Sequence, residues 1–327
     1  MDSVCQLRSG LPTNQRGSAI TIGTFDGVHL GHMAVLDELH RQAEDQGLCS
    51  VLVTFFPHPL RIVQPEFAPP ILTTADEKKD LLAETELSYA VFLPFTSRLA
   101  RYSPDRFVKE ILVEQLDMRH LVIGYDHGFG RGRSGGVDTL RRVGSNLGFQ
   151  VHVVPAVMLD GNPVSSTRIR RTLLAGDVVG AAEALGRPYS IQGAIVKGEG
   201  RGRDLGFPTA NVQVTDPDKL FPKPGVYAVR AAFRNPRFLE HRLGVLHLGP
   251  RPTFQGSPPS IELHLFEFEG DLYGEPVQVE FCARLRDIRP FSSAEQLIHA
   301  IKSDCDEARR CFANNATACK FPGVDLD

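Results

Sequence analysis

A chain of 327 residues is too long for one ordinary hydrophobic core and has room for two domains. Hydrophobic residues make up 42% and charged residues 23%, the proportions of a soluble globular protein. The formal net charge of −3 excludes a general basic surface, so we expect no nucleic-acid partner and only local anion binding. We recognise no signal, transit or membrane-spanning pattern and expect a cytoplasmic protein without a membrane partner.

The first half of the chain alternates short apolar runs with longer amphipathic runs. The apolar runs predict strands at residues 19–23, 50–56, 89–93, 120–124 and 150–155. Helical patterns lie between them at residues 32–47, 75–87, 103–116 and 135–148. Because the strand runs are almost wholly apolar and do not alternate, we expect both faces of each strand to be buried. The sequence therefore predicts an α/β domain with a doubly wound parallel sheet.

The first motif, GTFDGVHLGH, follows the first predicted strand and enters the first helix. Ligands bind at the carboxyl ends of the strands in such sheets, and the free N–H groups of a helix amino terminus attract phosphate. Two imidazoles beside that terminus could donate hydrogen bonds to a phosphoryl group, while a single histidine more often packs or caps. The pattern favours His29 and His32 as ligands of a nucleotide α-phosphate. Since no GKS or GKT follows, the motif is not a P-loop.

A second motif, SSTRIRR, lies at residues 165–171 and predicts a capped helix that ends near Gly176. Taken alone, it is equally typical of a surface helix with solvated arginines. A hydroxyl cap followed by arginine in the first turns is also suited to a triphosphate.

After residue 186 the pattern changes to short strands at close spacing, separated by Gly/Pro turns. We predict strands at residues 190–198, 225–233, 242–249, 260–268 and 276–285. One helix follows them, at residues 292–312. This order predicts an antiparallel barrel or sandwich with a terminal helix. We place the domains at residues 1–185 and 186–313, and expect residues 314–327 to form a flexible tail.

Two features of the second domain could carry chemistry. The stretch GEGRGRDLGFPTANV at residues 198–212 is rich in glycine and arginine, although a solvated turn would have the same composition. Glu262 lies on a predicted strand between Ile261 and Leu263, where its carboxylate is either exposed by alternation or part of a site. Sequence periodicity leaves both alternatives open.

The six cysteines are scattered without a CxxC pair, which is typical of reduced thiols. Cys305, Cys311 and Cys319 gather near the carboxyl end of the chain. Their spacing is not that of a zinc site, so we favour thiols without metal there.

GTFDGVHLGH and VSSTRIR together resemble the motifs of the HxGH nucleotidyltransferase family. FFPHP at residues 55–59 and GYDHGFGRGRSG at 124–135 are similar to the stretches typical of FAD synthetases within it. The resemblance implies that His29 and His32 stabilise the transition state. It implies a flavin site at Pro57, His58, Pro59 and His127, and nucleotide binding by Gly23, Thr24, Phe25, Asp26, Gly31, Asp126, Ser166, Thr167 and Arg170. The sequence departs from the family at Thr24, commonly Asn, and at His127, usually Phe.

Residues 187–305 are very similar to riboflavin kinases in GRDLGFPTAN, PGVYAV, RPTF, IELHLFEFEGDLYG and LRDIRPF. The resemblance implies that Thr209 and Asn211 hold Mg²⁺ with the ATP phosphates and that Glu262 is the base for the riboflavin 5′-hydroxyl. It assigns a loop over the phosphates to Gly202, Arg203 and Gly206, and a flap near the flavin to Arg286. The family usually has Asn at the position of His247.

The whole chain thus resembles the bifunctional riboflavin kinase/FMN adenylyltransferase family, also called bacterial FAD synthetases. The resemblance implies riboflavin, FMN and ATP as substrates, with ATP as co-substrate of both steps and Mg²⁺ as cofactor. A homo-oligomer is compatible with the sequence, which leaves the oligomeric state open. Two alternatives are an enzyme with only one active domain and a flavin-binding regulator without turnover. The presence of His29, His32, Thr209, Asn211 and Glu262 argues against both alternatives, since a pure binder has no use for a base.

Overall fold

The computed structural model describes residues 17–128, 136–198, 202, 206–235, 241–249 and 260–314. The chain divides into two compact units, Met1–Ser166 and Thr167–Asp327.

The first unit is built on five parallel strands. They are β1 Ser18–Ile22, β2 Cys49–Phe56, β3 Tyr89–Pro94, β4 Met118–Gly124 and β5 Gln150–Val154. Their order across the sheet is β3-β2-β1-β4-β5, and every neighbouring pair is parallel. This confirms the predicted doubly wound sheet. The expectation of burial on both faces is correct for β1 and wrong for the edge strand β5, where Gln150 and His152 are exposed because no strand or helix covers them fully.

Helices and turns of this unit fill the connections between the strands. They are α1 Leu30–Gln46, α2 Pro59–Val63, α3 Ala75–Ala83, α4 Pro104–Phe107 and α5 Val137–Leu147, with 3₁₀ turns at Pro65–Phe67 and Leu99–Arg101 and a short hairpin of β6 Met158–Leu159 and β7 Asn162–Pro163. The single helix predicted at residues 103–116 is shorter and divided. After α4 the chain continues as a π-helix over Val108–Val113, whose wider turns place Ile111 and Leu112 in the core.

Alternate residues of the sheet enter different cores, one on each face. Ile20 of β1 and Leu121 of β4 pack with Leu140 of α5 on one face. Ala19 of β1 and Leu52 of β2 pack with α1 and α3 on the other. The sheet is therefore a rigid layer, and the loops that leave its strand ends are held from both sides.

The second unit begins with two helices and continues as a closed antiparallel barrel. The helices are α6 Ser166–Ala175, whose first residue belongs to the first unit, and α7 Val178–Leu185. The barrel strands are β8 Tyr189–Val196, β9 Ala210–Gln213, β10 Gly225–Phe233, β11 Arg242–Gly249, β12 Ser260–Leu265 and β13 Pro276–Arg286, in the order β10-β11-β12-β9-β8-β13. The barrel is confirmed. The sequence missed α7, and it also missed β9, which has four residues and no apolar alternation.

The terminal helix α8 spans Ala294–Asn314 and lies against the outside of the barrel. Its Cys305 and Ala308 are buried in a cluster with Val226 and Ala228 of β10 and Val245 of β11. Cys319 lies outside the described residues. No helix within the described ranges is long and apolar enough to cross a membrane.

We expect Leu121→Ala to lower the free energy of unfolding by about 2–5 kcal/mol, because it leaves a cavity in a core that cannot collapse fully. Leu147→Ala is the matched control, since Leu147 is 36% exposed whereas Leu121 is 0% exposed. The control should cost less than about 0.5 kcal/mol in urea unfolding followed by circular dichroism. Equal losses from both variants would contradict the described core.

Candidate active sites

The first candidate site lies where the strand order of the sheet reverses. The chain leaves β1 toward β2 and β3 on one side, and β4 and β5 lie on the other. Ligands bind at such switch points, beyond the carboxyl ends of the strands. GTFDGVH follows β1, Asp126 and His127 follow β4, and Pro57 follows β2. The structure thus brings three separate sequence motifs to one edge of the sheet.

The two histidines of the first motif lie at the start of α1, where His29 caps the helix and the two rings stack on each other. His29 is the N-cap of α1, and its Nδ1 accepts the backbone N–H of His32 at 3.3 Å. Because Nδ1 accepts, the proton of the neutral ring is on Nε2, which makes this atom a hydrogen-bond donor. The rings of His29 and His32 stack at 3.6 Å, and Phe25 stacks on His32 at 4.5 Å. A Cβ at Gly31 would lie 3.2 Å from the His29 ring, so a larger residue there would press on that ring.

The loop before α1 has an unusual backbone and is held from below. Phe25 and Val28 have φ angles of 46° and 39°, in the left-handed region that residues with side chains rarely adopt. The buried Asp26 carboxylate accepts the N–H groups of Leu72 and Thr73 at 2.9 and 3.0 Å. The hydroxyl of Thr73 in turn accepts the N–H of Gly27 at 3.1 Å. The Asp26 carboxylate therefore binds the protein's own backbone, and its predicted contact with a nucleotide stays a prediction.

The second motif reaches this loop through its first helical residue. The Ser166 hydroxyl donates to the Asp26 carbonyl at 2.8 Å, across 140 positions of sequence. Thr167 and Arg170 follow in α6, within about 100° of Ser166 around the helix axis. Ser166, the last residue of the first unit, thus lies beside the loop that carries the histidines, and the predicted roles of Thr167 and Arg170 stay predictions.

Sequence reasoning missed two side chains beneath the same loop. The Thr24 carbonyl accepts both the Thr54 hydroxyl, at 3.0 Å, and the Lys78 ammonium, at 2.6 Å. Burial lowers the pKa of Lys78 to about 8, against the opposing effect of the Asp26 carboxylate. One signal could have revealed Lys78: it lies four residues before the buried Leu82 and so shares the apolar side of α3.

At the predicted flavin positions the chain exposes aromatic surface. His58 caps α2, and its Nδ1 accepts the N–H of Leu60 at 3.2 Å. Phe56, at the end of β2, is 52% exposed, and Tyr125, just after β4, is 45% exposed. Exposed rings of this kind suit stacking against a flat ligand. Phe56 and Tyr125 lie in the FFPHP and GYDHGFGRGRSG motifs but are not among the predicted flavin-binding residues.

The second candidate site is a row of polar residues across three barrel strands. Glu262 of β12 lies directly opposite His247 of β11 on one side and Asn211 of β9 on the other. Ile261 and Leu263 are buried in the barrel, so Glu262 occupies the outer face of β12. Its Oε1 accepts the Ser260 hydroxyl at 3.1 Å. The register thus places Glu262 on the outer face beside two polar residues, and its role in a site stays a prediction.

The PTAN segment packs so closely that its neighbours must be glycine. A Cβ at Gly202 would lie 2.9 Å from the Thr209 hydroxyl, and a Cβ at Gly198 would overlap the Asn211 amide. Phe207 donates its N–H to the Gly202 carbonyl at 2.8 Å. His264 Nδ1 and the Pro208 carbonyl, 2.9 Å apart, hold the segment to β12. The left-handed turn at Gly206 has φ 81°, and Arg203 lies outside the described residues.

Charged groups tie the terminal helix to the barrel near this row. Arg286 of β13 donates to both carboxylate oxygens of Asp304 in α8, at 2.7 and 2.8 Å. Burial lowers the pKa of His247; the Glu262 and Asp304 carboxylates raise it and Arg286 lowers it further. The Arg286 guanidinium is therefore engaged with α8, and its predicted place near a flavin stays a prediction.

The fold and the two sites define a two-domain nucleotide-using protein, with an HxGH loop on a doubly wound sheet and a PTAN loop on a small barrel. Residues 11–168 match the family model described as FAD synthetase, and residues 185–312 match the one described as riboflavin kinase. Relatives named bifunctional riboflavin kinase/FMN adenylyltransferase include one from Pseudomonas fluorescens, 39% identical over 94% of this chain and 96% of its own. Another, from Haemophilus influenzae, is 34% identical over 94% of this chain and 99% of its own. The chain belongs to the bifunctional riboflavin kinase/FMN adenylyltransferase family.

A solved structure is similar over most of the chain. It is a crystal structure from Streptococcus pneumoniae that carries the name macrolide-efflux protein. Its TM-score is 0.81 at 28% sequence identity, and the match covers 91% of this chain and 95% of that one.

We expect Asp304→Asn to lower the free energy of unfolding on the order of 2–3 kcal/mol, because it removes the charge of a buried carboxylate that pairs with the partly buried Arg286 guanidinium. Asp306→Asn is the control, since it breaks an exposed pair with Arg309 on the same helix. The control should cost less than about 0.5 kcal/mol in urea unfolding. If the two variants unfolded alike, the Arg286–Asp304 pair would not hold α8.

Proposed function

We propose that the chain makes FMN and FAD at two separate sites, one in each matched domain, with limits at residues 1–185 and 186–313. The second domain phosphorylates riboflavin with ATP, giving FMN and ADP. The first domain transfers AMP from a second ATP to FMN, giving FAD and pyrophosphate. The observation that carries this proposal is the register of Glu262 with Asn211, a proton acceptor beside an oxygen ligand. A protein that only bound flavin would need neither group.

In the first domain the FMN phosphate attacks the α-phosphorus of ATP directly. A bond forms between the FMN phosphate oxygen and that phosphorus, and the bond to the pyrophosphate oxygen breaks. His29 donates from Nε2, together with His32, to the oxygens on which negative charge grows. The amino terminus of α1 adds the positive end of its dipole. No covalent intermediate on the protein is required.

The remaining residues of this domain orient the two substrates. Ser166, Thr167 and Arg170 hold the β- and γ-phosphates, which leave as pyrophosphate. Gly23, Thr24, Phe25, Gly31 and Asp126 surround the nucleotide, and Asp26 shapes the loop that contacts it. Pro57, His58, Pro59 and His127 receive the flavin, with Phe56 and Tyr125 available for stacking.

In the second domain Glu262 accepts the proton of the riboflavin 5′-hydroxyl while that oxygen attacks the γ-phosphorus of ATP. The bond to the ADP oxygen breaks as the new bond forms. The Ser260 hydroxyl orients the carboxylate through its hydrogen bond to Oε1. Gly202, Arg203 and Gly206 form the loop over the phosphates, and Arg286 lies toward the flavin.

The donor chemistry of this row fits magnesium. Thr209 offers a hydroxyl oxygen and Asn211 an amide oxygen, which are the hard neutral ligands that Mg²⁺ accepts when phosphates supply the charge. When bound, Mg²⁺ neutralises the phosphate charge during transfer. Asn211 is in register with Glu262, so the acceptor of the proton and the ligand of the metal are neighbours.

The two sites should fail separately when each is changed. Glu262→Gln keeps the size of the side chain and removes the proton acceptor, so FMN formation should fall on the order of 10²-fold or more. The double variant His29→Ala/His32→Ala removes the donors to the α-phosphate and should slow FAD formation by about 10²–10³-fold or more.

Each variant is the control for the other when the flavin products are separated by chromatography. Given FMN and ATP, the Glu262 variant should form FAD at nearly the parental rate. Given riboflavin, the double-histidine variant should accumulate FMN without FAD. A folded variant that lost both reactions would point to one shared site, and a parent that bound riboflavin unchanged would support a flavin-binding regulator. A parent with only one reaction would be a single-activity enzyme.

Excess EDTA should stop both reactions, and added Mg²⁺ should restore them, since both steps transfer phosphorus between anions. Asn211→Ala should raise the Mg²⁺ concentration needed for FMN formation several-fold and leave that for FAD formation unchanged. Parental FMN formation in excess chelator would overturn the role given to Thr209 and Asn211.

A further inference from the structure

Lys78 is a buried cation that the proposed chemistry does not use. It lies in α3, its exposed fraction is 8%, and its Nζ donates to the Thr24 carbonyl at 2.6 Å. The Thr54 hydroxyl of β2 donates to the same carbonyl at 3.0 Å. The Thr24 carbonyl, in the loop between β1 and α1 (the nucleotide loop), therefore accepts one charged donor, Lys78, and one neutral donor, Thr54.

A charge in this position is costly to keep. Desolvation disfavours a buried ammonium, and it lowers the pKa of Lys78 to about 8 although the Asp26 carboxylate favours the charged form. A methionine has similar length and would fill the same space without that cost. The Asp26 carboxylate, whose charge acts on Lys78, also accepts backbone N–H groups at Leu72 and Thr73.

The bonded carbonyl controls the peptide that leads into the ring stack. In a trans peptide the N–H points opposite to the preceding carbonyl, so holding the Thr24 carbonyl toward α3 turns the Phe25 N–H to the other side. Phe25 is strained, with φ 46°, and its ring stacks on His32 at 4.5 Å. Rotation of this one peptide would therefore move the ring against which His32 packs.

We propose that Lys78 is a positioning residue for adenylyl transfer, which holds the Thr24–Phe25 peptide in place and contributes positive charge beneath the nucleotide loop. Lys78 acts through the loop and does not contact the substrate. Since it binds a backbone carbonyl, the departure from the family at the Thr24 side chain leaves this interaction intact. The inference rests on the proposed adenylyl transfer in the first domain.

The charge of Lys78 makes the reaction sensitive to alkaline pH. As pH rises through about 8, Lys78 loses its proton, and the Thr24 carbonyl loses a charged donor for a weaker neutral one. The kcat for FAD formation should therefore fall above that pH. FMN formation by the same chain is the internal control, because its proposed site lies in the second unit and Lys78 lies in the first.

Three variants of the full chain separate charge from packing. Lys78→Met removes donor and charge, and should lower the kcat for FAD formation from FMN and ATP by about 10–100-fold and abolish the alkaline fall. Lys78→Arg keeps the charge and should retain activity at pH 9, where the parent loses it. Thr54→Val, the matched control, removes the neutral donor to the same carbonyl and should lower kcat less than about threefold with the alkaline fall unchanged.

The measurements are kcat and KM for FMN from pH 6.5 to 9.5, with circular dichroism of every variant. A parent with a flat profile up to pH 9.5 would overturn the proposal whether or not the variants fold. A folded Lys78→Met variant with parental kcat would also overturn the proposal. The same holds if Thr54→Val lost as much activity as Lys78→Met. A parent that formed no FAD from FMN at all would instead refute the proposed function of the first domain.

Discussion

The Asp26 carboxylate is the interaction on which the first site depends. Asp26 belongs to a loop in which its neighbours Phe25, Gly27 and Val28 all have positive φ angles. Each such residue with a side chain costs on the order of 1–3 kcal/mol, so the loop persists only because its surroundings leave it no alternative. Asp26 supplies this constraint by accepting N–H groups of Leu72 and Thr73, and Ser166 adds a bond to the Asp26 carbonyl.

What the strained loop provides is a particular placement of the histidines. With the loop in this form, His29 becomes the N-cap of α1, and its ring is fixed by the His32 N–H and by the stack with the His32 ring. A neutral histidine that caps with Nδ1 carries its proton on Nε2, so this one hydrogen bond decides which ring nitrogen of His29 can donate. The strained loop thereby fixes the His29 ring at the amino terminus of α1.

The second site uses a different device, which is strand register. Glu262, Asn211 and His247 come from three strands and form a row because antiparallel pairing places them opposite one another on the outer face. A shift of one residue in any strand would turn that residue to the other face of the barrel. Gly198 packs closely on Asn211, and Gly202 packs closely on Thr209. These two contacts fix the position of the PTAN segment.

The sequence by itself determined the fold classes of the two domains. Wholly apolar strand runs and the spacing of strands along the chain are local patterns that can be read from the sequence alone. It also indicated GTFDGVHLGH, SSTRIRR and PTAN as candidate motifs, since each is contiguous, and their roles stay predictions. Only the tertiary structure decided that β9 is a strand, that Glu262 faces outward beside Asn211, and that Asp26 and Arg286 bind other parts of the protein. It also placed Lys78 under Thr24, 54 positions away. These facts depend on register and on contacts between distant segments, which no local period records.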